Sequence, residues 1–90
     1  MPRDKGMRVV VKTHGLLAEL LKKDFPDEAR MDRPSPSTLM EILEATGFEE
    51  ADFQWIAVSV DGQMANGKFS DLVIDKREVE ISVYPVFAGG

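Results

Sequence analysis

Runs with a period of two and runs with a period of 3.6 follow one another along this chain, and the switches between them lay out its elements. Met7-Arg8-Val9-Val10-Val11-Lys12-Thr13, bounded by Gly6 and Gly15, is rich in β-branched residues. It predicts a strand, a central one because Val10 makes its second face partly apolar. Leu16, Leu17, Leu20 and Leu21 then recur at helical spacing around Glu19, Lys22 and Lys23, a short amphipathic helix that must end before Pro26. Residues 28–32 read as a second strand of edge type, with Ala29 and Met31 facing one way. Pro34-Ser35-Pro36-Ser37 is a stiff connector without room for regular structure.

Thr38 followed by Glu41 has the spacing of a capping box, and Leu39, Ile42, Leu43 and Thr46 form one helical face behind it. Gly47 stands where a left-handed C-terminal cap is wanted. Residues 48–54 read as a loop or irregular turn. Ile56, Val58 and Val60 then alternate with Ala57 and Ser59 in a half-buried strand that stops at Asp61-Gly62. Asp-Gly is a two-residue hairpin signal, so residues 63–65 are expected to return antiparallel. Asn66-Gly67 marks another turn, and Leu72 and Val73 precede the charged turn Asp75-Lys76-Arg77. Val79, Ile81 and Val83 alternate with Glu80, Ser82 and Tyr84 in a last strand, closed by Pro85.

This is an α+β order. A mixed sheet packed on one main helix would bury Val9, Val11, Leu39, Ile42, Leu43, Ile56, Val58, Ile81 and Val83. If the first and last strands pair in parallel, the elements between them supply the crossover that parallel pairing needs. The arrangement is then a ubiquitin-like β-grasp with an additional short helix after the first strand. The expected organisation is a flexible N-terminus over residues 1–6, a single domain over 7–85, and a flexible tail over 86–90.

Composition narrows the function. Ninety residues make one small domain with one core and no room for a deep cleft, which argues against a catalytic pocket of its own. Hydrophobic residues at 43% and charged residues at 30% suit a folded domain. Asp and Glu number 16 against 11 Lys and Arg, a formal net charge of −5, which disfavours nucleic acid and anionic lipid as partners. Without cysteine there is no disulfide, no thiolate zinc site and no thiol nucleophile. The apolar runs are too short to span a membrane, and the first six residues lack the apolar segment of a secretory signal, so a cytoplasmic location is expected.

Few side chains are candidates for chemistry. His14, the sole histidine, has no second histidine or cysteine to share a metal and reads as a turn residue. Asp24, Asp27 and Glu28 lack the spacing of a calcium loop and form a solvated acidic face. Phe53 and Trp55 read as core or rim packing. What remains is Val86-Phe87-Ala88-Gly89-Gly90. Two glycines without Cβ atoms make a thin probe that can enter another protein's active site, with the Gly90 α-carboxylate as its reactive end. Attack of that carboxylate on the α-phosphate of ATP would release pyrophosphate and give an acyl-adenylate. A sulfur donor could displace AMP to leave a thiocarboxylate, and an amine could displace it to leave an amide.

With these residues the chain resembles the ubiquitin-like sulfur-carrier family (MoaD/ThiS). The resemblance runs from Met7 through Val9-Val10-Val11, the 16–21 segment, Thr38-Leu39-Met40-Glu41-Ile42-Leu43, Ile56-Ala57-Val58-Ser59-Val60-Asp61-Gly62, Glu78-Val79-Glu80-Ile81, and Pro85 to Gly90. Its length and the 16–21 helix make it most similar to the molybdopterin synthase small subunits (MoaD-like). It departs from them in one extra residue between Pro85 and Gly89-Gly90, and in Lys76-Arg77 where an Asp-Gly turn is common. The resemblance implies a chain that binds no cofactor itself. Gly90 would be adenylated by a ubiquitin-activating-enzyme-like adenylyltransferase (MoeB/ThiF-like) using ATP and magnesium, then thiocarboxylated. Val86, Phe87, Ala88 and Gly89 would enter the molybdopterin synthase large subunit (MoaE-like), where sulfur is delivered. A thiamine-type carrier, a ubiquitin-like modifier conjugated through Gly90, and a non-catalytic β-grasp interaction module are the alternatives.

Overall fold

The computed structural model describes residues 6–86. Strand β1 (Gly6–Thr13) leads into a five-residue helix α1 (Leu17–Leu21), then β2 (Glu28–Pro34), a two-residue strand β3 (Ser37–Thr38) and the main helix α2 (Leu39–Thr46). A 3-10 helix (Glu50–Trp55) precedes β4 (Ile56–Val60), β5 (Gln63–Met64), β6 (Val73–Ile74) and the last strand β7 (Glu78–Pro85).

Period-two burial places the strands. In β7, Val79, Ile81 and Val83 are buried while Glu78, Glu80 and Tyr84 are exposed, so one face turns inward. Five strands form one sheet in the order β2-β1-β7-β4-β5. β1 and β7 run parallel at its centre, with Val9 beside Val79 and Val11 beside Ile81, and every other pairing in the sheet is antiparallel. First and last strands paired in parallel, with the main helix in the crossover, make the β-grasp arrangement.

All nine residues expected in the core are buried, and Met7, Leu17, Phe48, Ile74 and Val79 join them. α2 contributes Leu39, Ile42 and Leu43. Thr38 caps it: the Thr38 Oγ1 accepts the Glu41 N–H at 3.1 Å and the Glu41 carboxylate accepts the Thr38 N–H at 2.7 Å. Gly47, at φ +117°, closes the other end, with the Phe48 N–H reaching back to the Leu43 carbonyl. Asp61 and Gly62 both have positive φ, the signature of a type I′ turn. Just past β5, the Ala65 N–H donates to the Val58 carbonyl.

Three expectations need correction. The connector does hold regular structure: Ser37 and Thr38 pair with Ile74 and Val73, and the buried Ser37 hydroxyl donates to the Pro34 carbonyl. A two-residue strand has no period to read, and a distant segment creates it. Residues 48–54 are not a loop throughout, because the 3-10 helix starts at Glu50. The Asp52 N–H bonds the Glu49 carbonyl while the Asp52 carboxylate takes the Glu49 N–H, a local closure that a hydropathy pattern does not carry. The edge strand runs to Pro34 rather than ending at residue 32, because β1 extends one residue earlier, to Gly6, which pairs with Pro34.

α1 is tied down by charge as well as by buried Leu17. Lys23 donates to Glu49 at 2.5 Å and to Asp52 at 2.7 Å, linking the end of α1 to the start of the 3-10 helix. Among the described residues, no helix is long and apolar enough to cross a membrane.

Candidate functional site

The candidate site is the point where β7 runs out of the sheet. Its alternation buries Val83 and turns Tyr84 to the helix-free face. Each of the last residues is held by a different segment. The Val83 carbonyl accepts the His14 N–H at 3.0 Å. The Tyr84 ring stacks on the His14 ring, with centroids 4.7 Å apart and planes 14° from parallel. Pro85 is in register with Ile56 and lies against Gly15. The Val86 N–H donates to the Trp55 carbonyl at 2.8 Å.

Gly15 is needed where it stands. Its φ is +68°, and a Cβ there would come 3.3 Å from Pro85 Cγ and 3.4 Å from Cδ. Any other residue would be strained and would push on the last residue of β7.

Four exposed apolar side chains lie in the segments that meet at this root. Leu16 is 58% exposed, Trp55 40%, Val86 39% and Tyr84 38%. They form a collar from the turn after β1, the end of the 3-10 helix and β7 itself. His14 Nε2 is enclosed and has no hydrogen-bond partner among the described residues, so that ring serves as a stacking surface.

Of the residues singled out from the sequence, Val86 is at the root of the tail, while Phe87, Ala88, Gly89 and Gly90 lie outside the described residues. His14, expected as a turn residue, stands between the end of β1 and the turn at Gly15-Leu16, where its N–H pairs with Val83 and its ring stacks on Tyr84. Trp55 belongs to the rim. Phe53 is half-buried and meets Phe69 edge-on at 5.2 Å. Sequence reasoning missed Gly15, Tyr84 and the carbonyl of Trp55 as parts of the root. The available signal was the pair Gly15 and Pro85, two residues with special backbone demands at the ends of the first and last strands.

Fold and root together define a ubiquitin-like β-grasp protein whose central strand delivers the C-terminal segment between two neighbours. Solved structures agree on the fold. SAMP1 from Haloferax volcanii matches with a TM-score of 0.62 at 19% identity, over 92% of this chain and 99% of that one. The small archaeal modifier protein 1 of Methanosarcina acetivorans matches with a TM-score of 0.63 at 17% identity, over 97% and 100%. A Pyrococcus furiosus protein described as a candidate molybdopterin converting factor, subunit 1, matches with a TM-score of 0.61 at 16% identity, over 90% and 99%. No protein-family model and no curated protein sequence matches the chain.

Proposed function

We propose that this protein is a ubiquitin-like sulfur carrier that works through the carboxylate of Gly90. The observation that carries the reading is a hydrogen-bonded root with two glycines close behind it in sequence. Val86 is hydrogen-bonded to the Trp55 carbonyl, and Gly89-Gly90 stand three and four residues beyond it in the sequence. A partner docked on the collar would meet Gly90 within four residues of a fixed point. An adenylyltransferase of the ubiquitin-activating kind supplies ATP, magnesium and the catalytic groups. The Gly90 carboxylate attacks the α-phosphate, pyrophosphate leaves, and sulfide displaces AMP from the acyl carbon to leave a thiocarboxylate. The acceptor is a pterin precursor bound in a larger synthase subunit of the molybdopterin type. A fold shared over 90% of this chain with a candidate molybdopterin converting factor subunit is compatible with this branch.

The test is intact-mass analysis after incubation with such an adenylyltransferase, ATP, magnesium and a sulfur donor. The expected product gains the mass of one oxygen-to-sulfur exchange, localised to Gly90. Deleting Gly90, or replacing Gly89 with valine, abolishes the exchange and leaves the heat-unfolding midpoint unchanged. Full activity from a chain extended beyond Gly90, and not trimmed in the cell, would refute the reading.

A second reading, conjugation of Gly90 to lysines of other proteins, is favoured by the likeness to two archaeal modifier proteins. Lysine adducts through Gly90 without any thiocarboxylate would decide for it.

A further inference from the structure

At one side of the sheet lies β2, seven residues long and hydrogen-bonded on a single edge; among the described residues nothing pairs with the other. The register with β1 determines which backbone groups that free edge offers. The Thr13 N–H donates to the Asp27 carbonyl, and Lys12 stands opposite Glu28. Antiparallel ladders alternate, so residues 27, 29, 31 and 33 turn their N–H and C=O groups toward β1. β1 agrees from its other side, since the N–H groups of Arg8 and His14 point to β7 and leave the odd-numbered residues for β2. Glu28, Arg30 and Asp32 therefore present N–H and C=O outward, and Pro34 a carbonyl alone.

We infer that this edge pairs with the same edge of a second copy, antiparallel about a two-fold axis at Met31. The occupant is selected by charge. With the axis at Met31, Arg30 of each copy lies opposite Asp32 of the other, in pairs that exchange both backbone hydrogen bonds, and the overlap covers the whole strand. The Glu28 N–H then meets the Pro34 carbonyl, where the missing proline N–H leaves no donor unpaired. Moving the axis to Arg30 sets arginine on arginine and Glu28 on Asp32, and moving it to Asp32 sets aspartate on aspartate. An axis at Ala29 pairs Arg30 with Glu28 but overlaps only residues 28–30. Like charges directly opposite one another are destabilising and opposite charges contribute, so the Met31 register wins.

The strand is also the right neighbourhood for self-association in an acidic chain. Its Glu28 and Asp32 are balanced by Arg30 and Arg33, so it is formally neutral while the chain carries −5. Edge strands that stay single are commonly guarded by charged side chains, by an internal proline or by shortness. β2 has seven residues and no internal proline, and its Arg30 and Asp32 complement each other across the Met31 register instead of repelling. The Arg30 guanidinium is exposed and uses one donor on Glu28 at 2.6 Å, leaving others for a second carboxylate. β7 leaves the sheet at the Glu28 end of β2, so the two Val86 roots of such a dimer lie at opposite ends and stay accessible.

A single seven-residue strand is smaller than the ~20–30 residues a side of a standard interface, so the dimer is a weak one and is read at high concentration. Sedimentation velocity of the full chain from micromolar to millimolar concentration, at physiological ionic strength, should show a reversible monomer–dimer equilibrium. Repulsion between the net charges is then screened beyond about 8 Å while contact pairs persist. Arg30→Glu and Asp32→Arg, each alone, set like charges opposite and should weaken association by about tenfold or more. Mixed in equal amounts the two variants should dimerise again, because position 30 of each copy then faces a position 32 of opposite charge. Loss of folding cannot imitate rescue by mixing. A wild-type chain that stays monomeric at millimolar concentration, single variants that dimerise as well as wild type, or a mixture that does not recover would each overturn the inference.

Discussion

A single hydrogen on Gly15 decides how closely the turn after β1 approaches the end of β7. At φ +68°, with Pro85 atoms 3.3 and 3.4 Å from where a Cβ would sit, Gly15→Val combines backbone strain with a collision. A cost of about 1–3 kcal/mol in urea unfolding is expected. Tyr84 and Pro85 should shift with it, seen as chemical-shift changes at Val86 and Trp55. A valine tolerated without loss of stability would mean that the turn can slide away from β7. Val86→Pro is a milder probe: it removes the N–H donated to Trp55, together with the exposed valine side chain and the freedom of φ at that position. It should cost about 0.5–1.5 kcal/mol. At this scale the proposed reactive end comes from the sequence alone, since Gly89-Gly90 suggests its chemistry through residue identity. The root was not. His14, Gly15, Trp55 and Tyr84 are unremarkable residues that become neighbours only because β1 and β4 flank β7.

Elements with a period were legible, as was β5 through the Asp61-Gly62 turn before it, and those with neither signal were not. β1, β4, β7 and α2 repeat their apolar residues often enough to expose a face, whereas β3 and β6 hold two residues each and exist only through one another. The capping box of α2 was readable because it is local. Thr38→Ala should cost about 0.5–2 kcal/mol, measured by urea unfolding, and fray the first turn that carries buried Leu39 and Ile42. Charge ties the elements together with a definite pH signature. A hydrogen bond from Lys76, then one from the Glu80 N–H, holds the Asp61 carboxyl below its usual range. Burial pushes Asp52 up, but bonds from Lys23 and the Glu49 N–H outweigh it and leave that carboxyl lowered too. A carboxyl lowered in the folded state contributes stability that is complete above its unfolded value, about 3.9, and is lost as pH falls through the folded value. Lys23 is raised, chiefly by Asp52, so its contribution persists until pH climbs past the ordinary lysine range. Asp61→Asn keeps a residue that accepts positive φ and removes the charge together with one of the two acceptor oxygens. The variant should be about 0.2–1 kcal/mol less stable at neutral pH, a modest value because the pair with Lys76 is partly exposed. The gap should close on acidification below pH ~4. An unchanged gap at low pH would place the effect outside the carboxylate.

For the whole molecule, topology was legible because parallel pairing constrains the chain so strongly. A first and a last strand that lie side by side and parallel need everything between them as a crossover, and the β-grasp follows. That topology also sets where stability ends. Val83 is the last fully buried residue of β7, Pro85 still covers Ile56, and Val86 makes the last described backbone bond. Removing residues 87–90 should therefore shift unfolding free energy by no more than about 0.5 kcal/mol, as surface changes do, while ending all activation at Gly90. Removing residues 84–90 instead strips the partners of Ile56 and Ala57 and uncovers Ile56, now 6% exposed. Exposing that side chain alone should cost about 1.5–3 kcal/mol. The lost ladder bonds add to it, and β4 should show faster amide exchange than β1. Urea titrations of the two truncations, with exchange read strand by strand, separate the cases. A four-residue truncation as damaging as the seven-residue one would show that the tail is part of the core and that its role is structural.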